Sequence, residues 1–144
     1  PIYLIPLLND GVEYFKHRNG RNVKFSTAFP SDPVMVTLNR SLFEWVIENL
    51  VKNALDAMEG KGSIQIHVED FENKVHIEFT DSGKGIAANQ FKTIFRPGFT
   101  SKKRGWGLGL SLSKRIIEDY HNGKIYVLKS EIGEGSTFRI TLKR

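Results

Sequence analysis

The stretch Glu44 to Met58, EWVIENLVKNALDAM, constrains this chain more than any other. At about 100° per residue, Phe43, Val46, Ile47, Leu50, Val51, Ala54 and Met58 form one broad apolar arc, with Glu44, Glu48, Lys52 and Glu59 opposite. A helix with such a face has to bury it against another layer. Asn49, Asn53 and Asp56 stack a turn apart along the border between the two faces. A half-buried carboxamide needs partners, because an unpaired amide out of water costs about a few kcal/mol. Capping explains single asparagines, but Asn inside a helix is neutral to unfavourable. Two of them at i and i+4, among good helix formers, mark a candidate functional pair.

Around this helix the apolar spacing predicts the other elements. Pro6 to Arg18 reads as a short helix with Leu7, Leu8, Val12 and Phe15 on one face, stopped at Asn19-Gly20. Asn22 to Phe29 alternates as a strand. Pro30 to Pro33 is a turn, and Val34 to Thr37 a short strand before Asn39, a cap for the long helix. That helix ends at Glu59-Gly60-Lys61-Gly62. Ser63 to Asp70 and Lys74 to Thr80 alternate across Glu72-Asn73 and predict an antiparallel hairpin, with His67 and His76 on its polar, solvated face. The pattern weakens from Ile86 to Gly109. Phe91 to Phe95 reads as a helical turn and Arg96 to Arg104 as a mobile loop. Leu108 to Tyr120 predicts a second amphipathic helix with Leu108, Leu112, Ile116 and Tyr120 in one row, and Lys124 to Lys129 and Ser136 to Leu142 predict two closing strands. Strands in antiparallel pairs separated by helices imply an α+β fold, a two-layer sandwich with a mixed, mostly antiparallel sheet and helices on one face.

Composition excludes several functions. A chain of 144 residues is one domain. It has no cysteine, hence no disulfide, thiolate metal site or thiol nucleophile. No run of about 18 or more apolar residues is present to span a membrane. The opening on Pro1, with neither Met nor signal peptide, reads as a cut from a longer protein. The net charge of +5 raises a nucleic-acid partner, but no aromatic-basic interleaving or reading motif supports one.

Glycines cluster at Gly83 and Gly85; at Gly105, Gly107 and Gly109; and at Gly133 and Gly135. Glycine lets backbone N–H groups turn toward an anion. The middle set runs into a helix N-terminus, a natural phosphate site; the others also suit plain turns, although Asp81 at a strand end is an unusual companion. A P-loop is absent. The loose dinucleotide pattern from Gly83 to Ala88 lacks its downstream acid and any parallel crossover, so both of those nucleotide folds are rejected.

Taken in order, the segments ENLVKNALDAM, DSGKGI, IFRPGFTSKK, GWGLGLSLSKRII and GEGSTF resemble the N box, first glycine box, phenylalanine box, second glycine box and final glycine-rich turn of sensor histidine kinase catalytic domains. That group shares the Bergerat fold with gyrase, MutL and the ninety-kilodalton chaperones. The resemblance runs from about Val34 onward, and the ordered set is far more specific than any single box. It implies binding of ATP and Mg²⁺ in one domain over residues 1–144, with an ATP lid at about 86–105. Asn53 would ligate Mg²⁺ and Asn49 would support the phosphates, as the catalytic pair. Asp81 would accept from the adenine amino group, Gly83 and Gly85 would let the base approach, and Ile86 and Thr137 would wall its pocket. Gly105, Gly107, Leu108, Gly109 and Leu110 would line the phosphates. Lys102 or Lys103, on the lid, either approaches the γ-phosphate or belongs to a solvated basic loop. An amide oxygen suits Mg²⁺, and a carboxylate selects adenine because N6 is a donor.

Trp106 replaces a common Thr and Gly98 a common aromatic residue, which bears on lid conformation. Asn49 stands where the ATPase branches carry a water-activating Glu, and an amide is no general base. The resemblance therefore implies phosphoryl transfer to protein. None of the four histidines, His17, His67, His76 and His121, has the family's acceptor surroundings. The implied acceptor is a histidine on the parent's own helical dimerisation domain, with a response regulator downstream. The parent would be a homodimer and this domain monomeric and cytoplasmic, whether or not the parent is membrane-anchored. A serine kinase of the anti-sigma type and a nucleotide sensor without transfer are the competing readings.

Overall fold

Alternation puts every second strand residue on one face, and that face makes the core. The computed structural model describes residues 1–19, 22–98 and 109–144. A five-stranded sheet carries β2 (Val23–Ala28), β4 (Gly62–Asp70), β5 (Lys74–Asp81), β7 (Gly135–Lys143) and β6 (Lys124–Glu131), side by side in that order. On its inner face lie Ile64, Ile66, Val68, Val75, Ile77, Phe79, Ile125, Val127, Phe138, Ile140 and Leu142, all buried. Three helices cover them: α1 (Leu4–Asn19), α2 (Arg40–Ala57) and α3 (Gly109–Arg115), the last continuing as a π-helical turn over Ile116–Tyr120. The fold is the expected two-layer α+β sandwich.

The pairings of the first strands differ from the expectation. β3 (Met35–Val36) leaves β2 and pairs antiparallel with β1 (Ile2–Tyr3), which the sequence did not signal. β2 instead joins the sheet parallel to β4. It is an edge strand with Val23 as its one buried residue, and alternation along a strand names its faces but not its neighbour. The two expected hairpins form: β4 pairs antiparallel with β5, and β6 with β7.

The long helix begins as its sequence dictates. Leu42 N–H donates to the Asn39 side-chain oxygen at 3.1 Å, a side-chain N-cap. Asn39 N–H in turn donates to His121 Nε2 at 3.0 Å. With Nε2 accepting, the ring proton belongs on Nδ1, which donates to the Ile116 carbonyl at 2.8 Å. One neutral imidazole thus ties the start of α2 to the end of α3. At the other end Glu59 and Gly60 turn left-handed (φ 55° and 78°), and Gly60 N–H caps the Leu55 carbonyl at 2.9 Å. In α1, Pro6 occupies the first turn, where a missing N–H costs nothing.

The row expected on α3 is buried only at Ile116. Leu112 is 39 % and Tyr120 67 % exposed, and Ser113 and Ile117 complete the buried face instead; Leu108 lies outside the described residues. A wide π turn resets the helical register, and Ser113 faces inward to accept from Asn49 Nδ2 at 3.1 Å. Part of the segment expected to be loose is packed. Ile94 and Phe95, in a 3₁₀ turn over Thr93–Phe95, are buried, and the Phe95 ring meets Phe138 edge-on with centroids 6.1 Å apart. His67 is not simply solvated. On the outer face His67, Glu78, Arg139 and Tyr126 form a ladder across β4, β5, β7 and β6, with Arg139 Nε donating to Glu78 Oε2 at 2.8 Å. His67, Glu69 and Glu78 have ligand-type atoms within 4.8 Å of one another, but the Arg139 guanidinium already holds Glu78.

Candidate functional site

One row of α2 organises the site. Asn49, Asn53 and Ala57 follow at i, i+4 and i+8 along the edge of its apolar face. At the Asn49 end stands α3. Besides the bond to Ser113, Asn49 packs so tightly on Gly109 that a Cβ there would overlap its amide. At the Ala57 end stands the turn after β5. Lys84 N–H donates to the Ala57 carbonyl at 2.9 Å, and a Cβ on Gly83 would lie 2.7 Å from the Ala57 Cβ. Asn53 lies between these contacts and is half-buried.

Asp81, the last residue of β5, is 7 % exposed. Its Oδ1 accepts from Gly83 N–H at 2.8 Å. Burial pushes the carboxyl above the ordinary aspartate range, and the N–H groups of Gly83 and Ser136 pull it back only in part. A buried acceptor of this kind is ready for a ligand's N–H donor.

The turn between β6 and β7 locks this corner. Gly133 N–H donates to the Lys84 carbonyl at 2.8 Å. Gly85 (φ 80°) passes against the Glu131 carbonyl and Gly135 (φ 126°) against the Asp81 carbonyl, so closely that no side chain fits at either. Ser130 Oγ accepts from Ile86 N–H at 2.7 Å, donates to the Gly135 carbonyl at 2.9 Å and meets Ser136 Oγ at 2.7 Å. Gly83 and Gly85 therefore have backbone-packing reasons to be glycine. Ile86 is half-buried and packs on the core, as does Leu110 beside Gly109.

Thr137, expected to wall the pocket at Asp81, lies on the opposite face of the sheet. Asp81 pairs with Ser136, and Thr80 with Thr137. Neighbours along a strand face opposite sides, so Ser136 shares the Asp81 face while Thr137 shares the outer face with Thr80, their hydroxyls 2.9 Å apart. A shift of one residue flips a strand position from one face to the other. Ser136 takes the place beside Asp81, and counting back along β7 from the buried Phe138 identifies it. Lys102, Gly105, Gly107 and Leu108 lie outside the described residues, as does the expected lid segment from Phe99 to residue 105.

Glu48 does not stand in for the missing base. Its carboxylate is 2.9 Å from Lys52 Nζ on the exposed flank of α2. The arrangement offers a buried carboxylate at Asp81 and two amides at Asn49 and Asn53, and among the described residues no carboxylate stands beside Asn49 to activate water.

The family model described as "Histidine kinase-, DNA gyrase B-, and HSP90-like ATPase" matches residues 39–144. The sensor histidine kinase ZraS of Escherichia coli (strain K12) is 45 % identical over 97 residues, covering 67 % of this chain and 20 % of ZraS. The solved catalytic domain of the histidine kinase ThkA superposes with a TM-score of 0.85 at 32 % identity, covering 99 % of this chain and 93 % of that one. ThkA in complex with the response regulator protein TrrA superposes with a TM-score of 0.82 at 30 % identity, over 99 % of this chain and 40 % of that one. The chain spans about a fifth to a third of the length of the curated relatives it matches. It belongs to the family of histidine kinase-, DNA gyrase B- and HSP90-like ATPases and has the fold of a histidine kinase catalytic domain.

Proposed function

We propose that this chain is the ATP·Mg²⁺-binding catalytic domain of a two-component sensor histidine kinase, which passes the γ-phosphoryl group to a histidine on a separate helical dimerisation domain. One observation carries the reading: a single row of α2 runs from the buried Asp81 corner, through Asn53, to Asn49 against the start of α3. Adenine sits at Asp81 with Ser136 and Ile86 around it, and the phosphates lie toward Asn49, Gly109 and Leu110. Asn53 is the residue to hold Mg²⁺, whose chemistry is to neutralise phosphate charge. Residues 86–105 are assigned as the ATP lid.

In the transfer, a lone pair on the acceptor imidazole forms the phosphorus–nitrogen bond. The bond from the γ-phosphorus to its bridging oxygen breaks, and ADP leaves. The protein contributes position and electrostatics. With Asn49 in place of a base and Glu48 held by Lys52, water is poorly activated, which favours transfer over hydrolysis. The response regulator seen bound to ThkA supports a response regulator as the downstream partner of the parent. We place the domain in the cytoplasm; among the described residues no helix is long and apolar enough to cross a membrane.

The test is transfer in trans. Incubated with γ-labelled ATP, the chain alone should acquire no acid-labile label, and the parent's helical domain, once added, should become labelled. Asn53→Ala should stop labelling and abolish the gain in ATP affinity on adding Mg²⁺. Stoichiometric phosphohistidine on this chain itself, or equal Mg²⁺ enhancement in the variant, refutes the assignment.

A further inference from the structure

Trp45 is 37 % exposed, a half-wet indole on a helix flank otherwise given to charge. Arg40 Nε pairs with Glu44 at 3.0 Å, and Lys52 Nζ with Glu48 at 2.9 Å. An outward helix position with no task beyond solvation favours Glu, Lys or Gln, which keep their rotamer freedom in water. Trp45 lies one turn before Asn49 and two before Asn53, so it extends their row with about 6 Å of rise per step.

That row has a direction. Ala57, at one end, touches Gly83 beside Asp81, and Asn49, further along, packs on Gly109 and Ser113. Trp45 is the next step past Asn49, away from the base. A nucleotide lying along the row with adenine at Asp81 sends its terminal phosphate toward Trp45. The group that takes that phosphoryl in line has to arrive over the same end.

We propose that Trp45 is the anchor on which the phosphoacceptor element docks: an α-helical segment carrying the acceptor histidine lays an apolar stripe across the indole, one turn from Asn49. This rests on the ATP·Mg²⁺ reading above and adds the surface through which the second substrate is recognised. Tryptophan offers a large flat face at low entropic cost and an N–H for one hydrogen bond, the features of residues that dominate binding energy at interface centres. The Arg40–Glu44 and Glu48–Lys52 pairs border it as a charged rim. Trp45 touches no reacting atom in this arrangement. It is a positioning residue, and its effect belongs in the apparent affinity for the acceptor.

The experiment uses the 144-residue chain, γ-labelled ATP and the parent's helical domain in trans. Trp45→Ala should raise the KM for the helical domain about tenfold or more, with kcat changed far less and affinity for an ATP analogue unchanged. Trp45→Phe should recover most of the loss. The chain has two tryptophans, so a Trp106→Phe background isolates Trp45 emission, which should shift to the blue when the helical domain is added. An unchanged KM in a folded Trp45→Ala protein overturns the docking surface. If that variant does not fold, the absence of an emission shift in the Trp106→Phe background overturns it. Failure of the unaltered chain to label the helical domain overturns the kinase reading instead, so the two failures are distinguishable.

Discussion

Asp81→Asn separates what the buried carboxylate does for the ligand from what it costs the fold. The carboxyl is 7 % exposed, and burial raises it above the ordinary aspartate range against the pull of the Gly83 and Ser136 N–H groups. A carboxyl whose folded pKa is raised binds its proton more tightly in the native state than in the unfolded chain. Native stability is therefore greatest below the ordinary aspartate value, falls as pH rises through the window up to the raised value, and stays lowered above it. Asparagine has no charge to bury and retains one oxygen to accept from Gly83, so the difference in stability between wild type and variant should move in the variant's favour as pH rises through that window. ATP binding should move the other way. The substitution replaces a charged acceptor with an amide that presents a donor to the N6 donor. Losing a charge-assisted hydrogen bond costs about 1.5–3 kcal/mol, or about 10- to 150-fold in affinity. Urea unfolding of both proteins at a series of pH values from the ordinary aspartate range upward, with calorimetric titration of an ATP analogue, reads both effects. Unchanged affinity in a folded variant refutes Asp81 as the adenine acceptor. A wild-type advantage that grows with pH refutes the account of its burial.

Two further substitutions test the frame around the site. Gly135→Ala places a Cβ against the Asp81 carbonyl at φ 126° and should cost about 2–4 kcal/mol from strain and overlap; a melting temperature within about a degree of wild type contradicts the backbone contact. His121→Ala removes the acceptor of Asn39 N–H and the donor to the Ile116 carbonyl and should cost about 1–3 kcal/mol. Urea denaturation checks it, and an unaltered midpoint means that the imidazole does not bind α2 to α3.

Features set by near neighbours in the chain were legible in the sequence. The apolar arc of α2 is a matter of 3.6-residue spacing, and its Asn39 cap and Gly60 end are local backbone chemistry. The β4–β5 and β6–β7 hairpins follow from alternation across short turns. Asp81 beside its glycines and the paired asparagines stood out because each contradicts the local propensity of its element. Non-local choices were decided only in three dimensions. Nothing in Val23–Ala28 says that it pairs parallel to β4, nor anything in Met35–Val36 that it pairs with Ile2–Tyr3, because a ladder's partner is chosen by how the layers pack. The inward turn of Ser113 came from Asn49, 64 residues away, and overrode the apolar row read on α3. Ser136 and Thr137 are equally polar and adjacent in sequence; only the register of β7 against β5 puts the first beside Asp81 and the second on the opposite face.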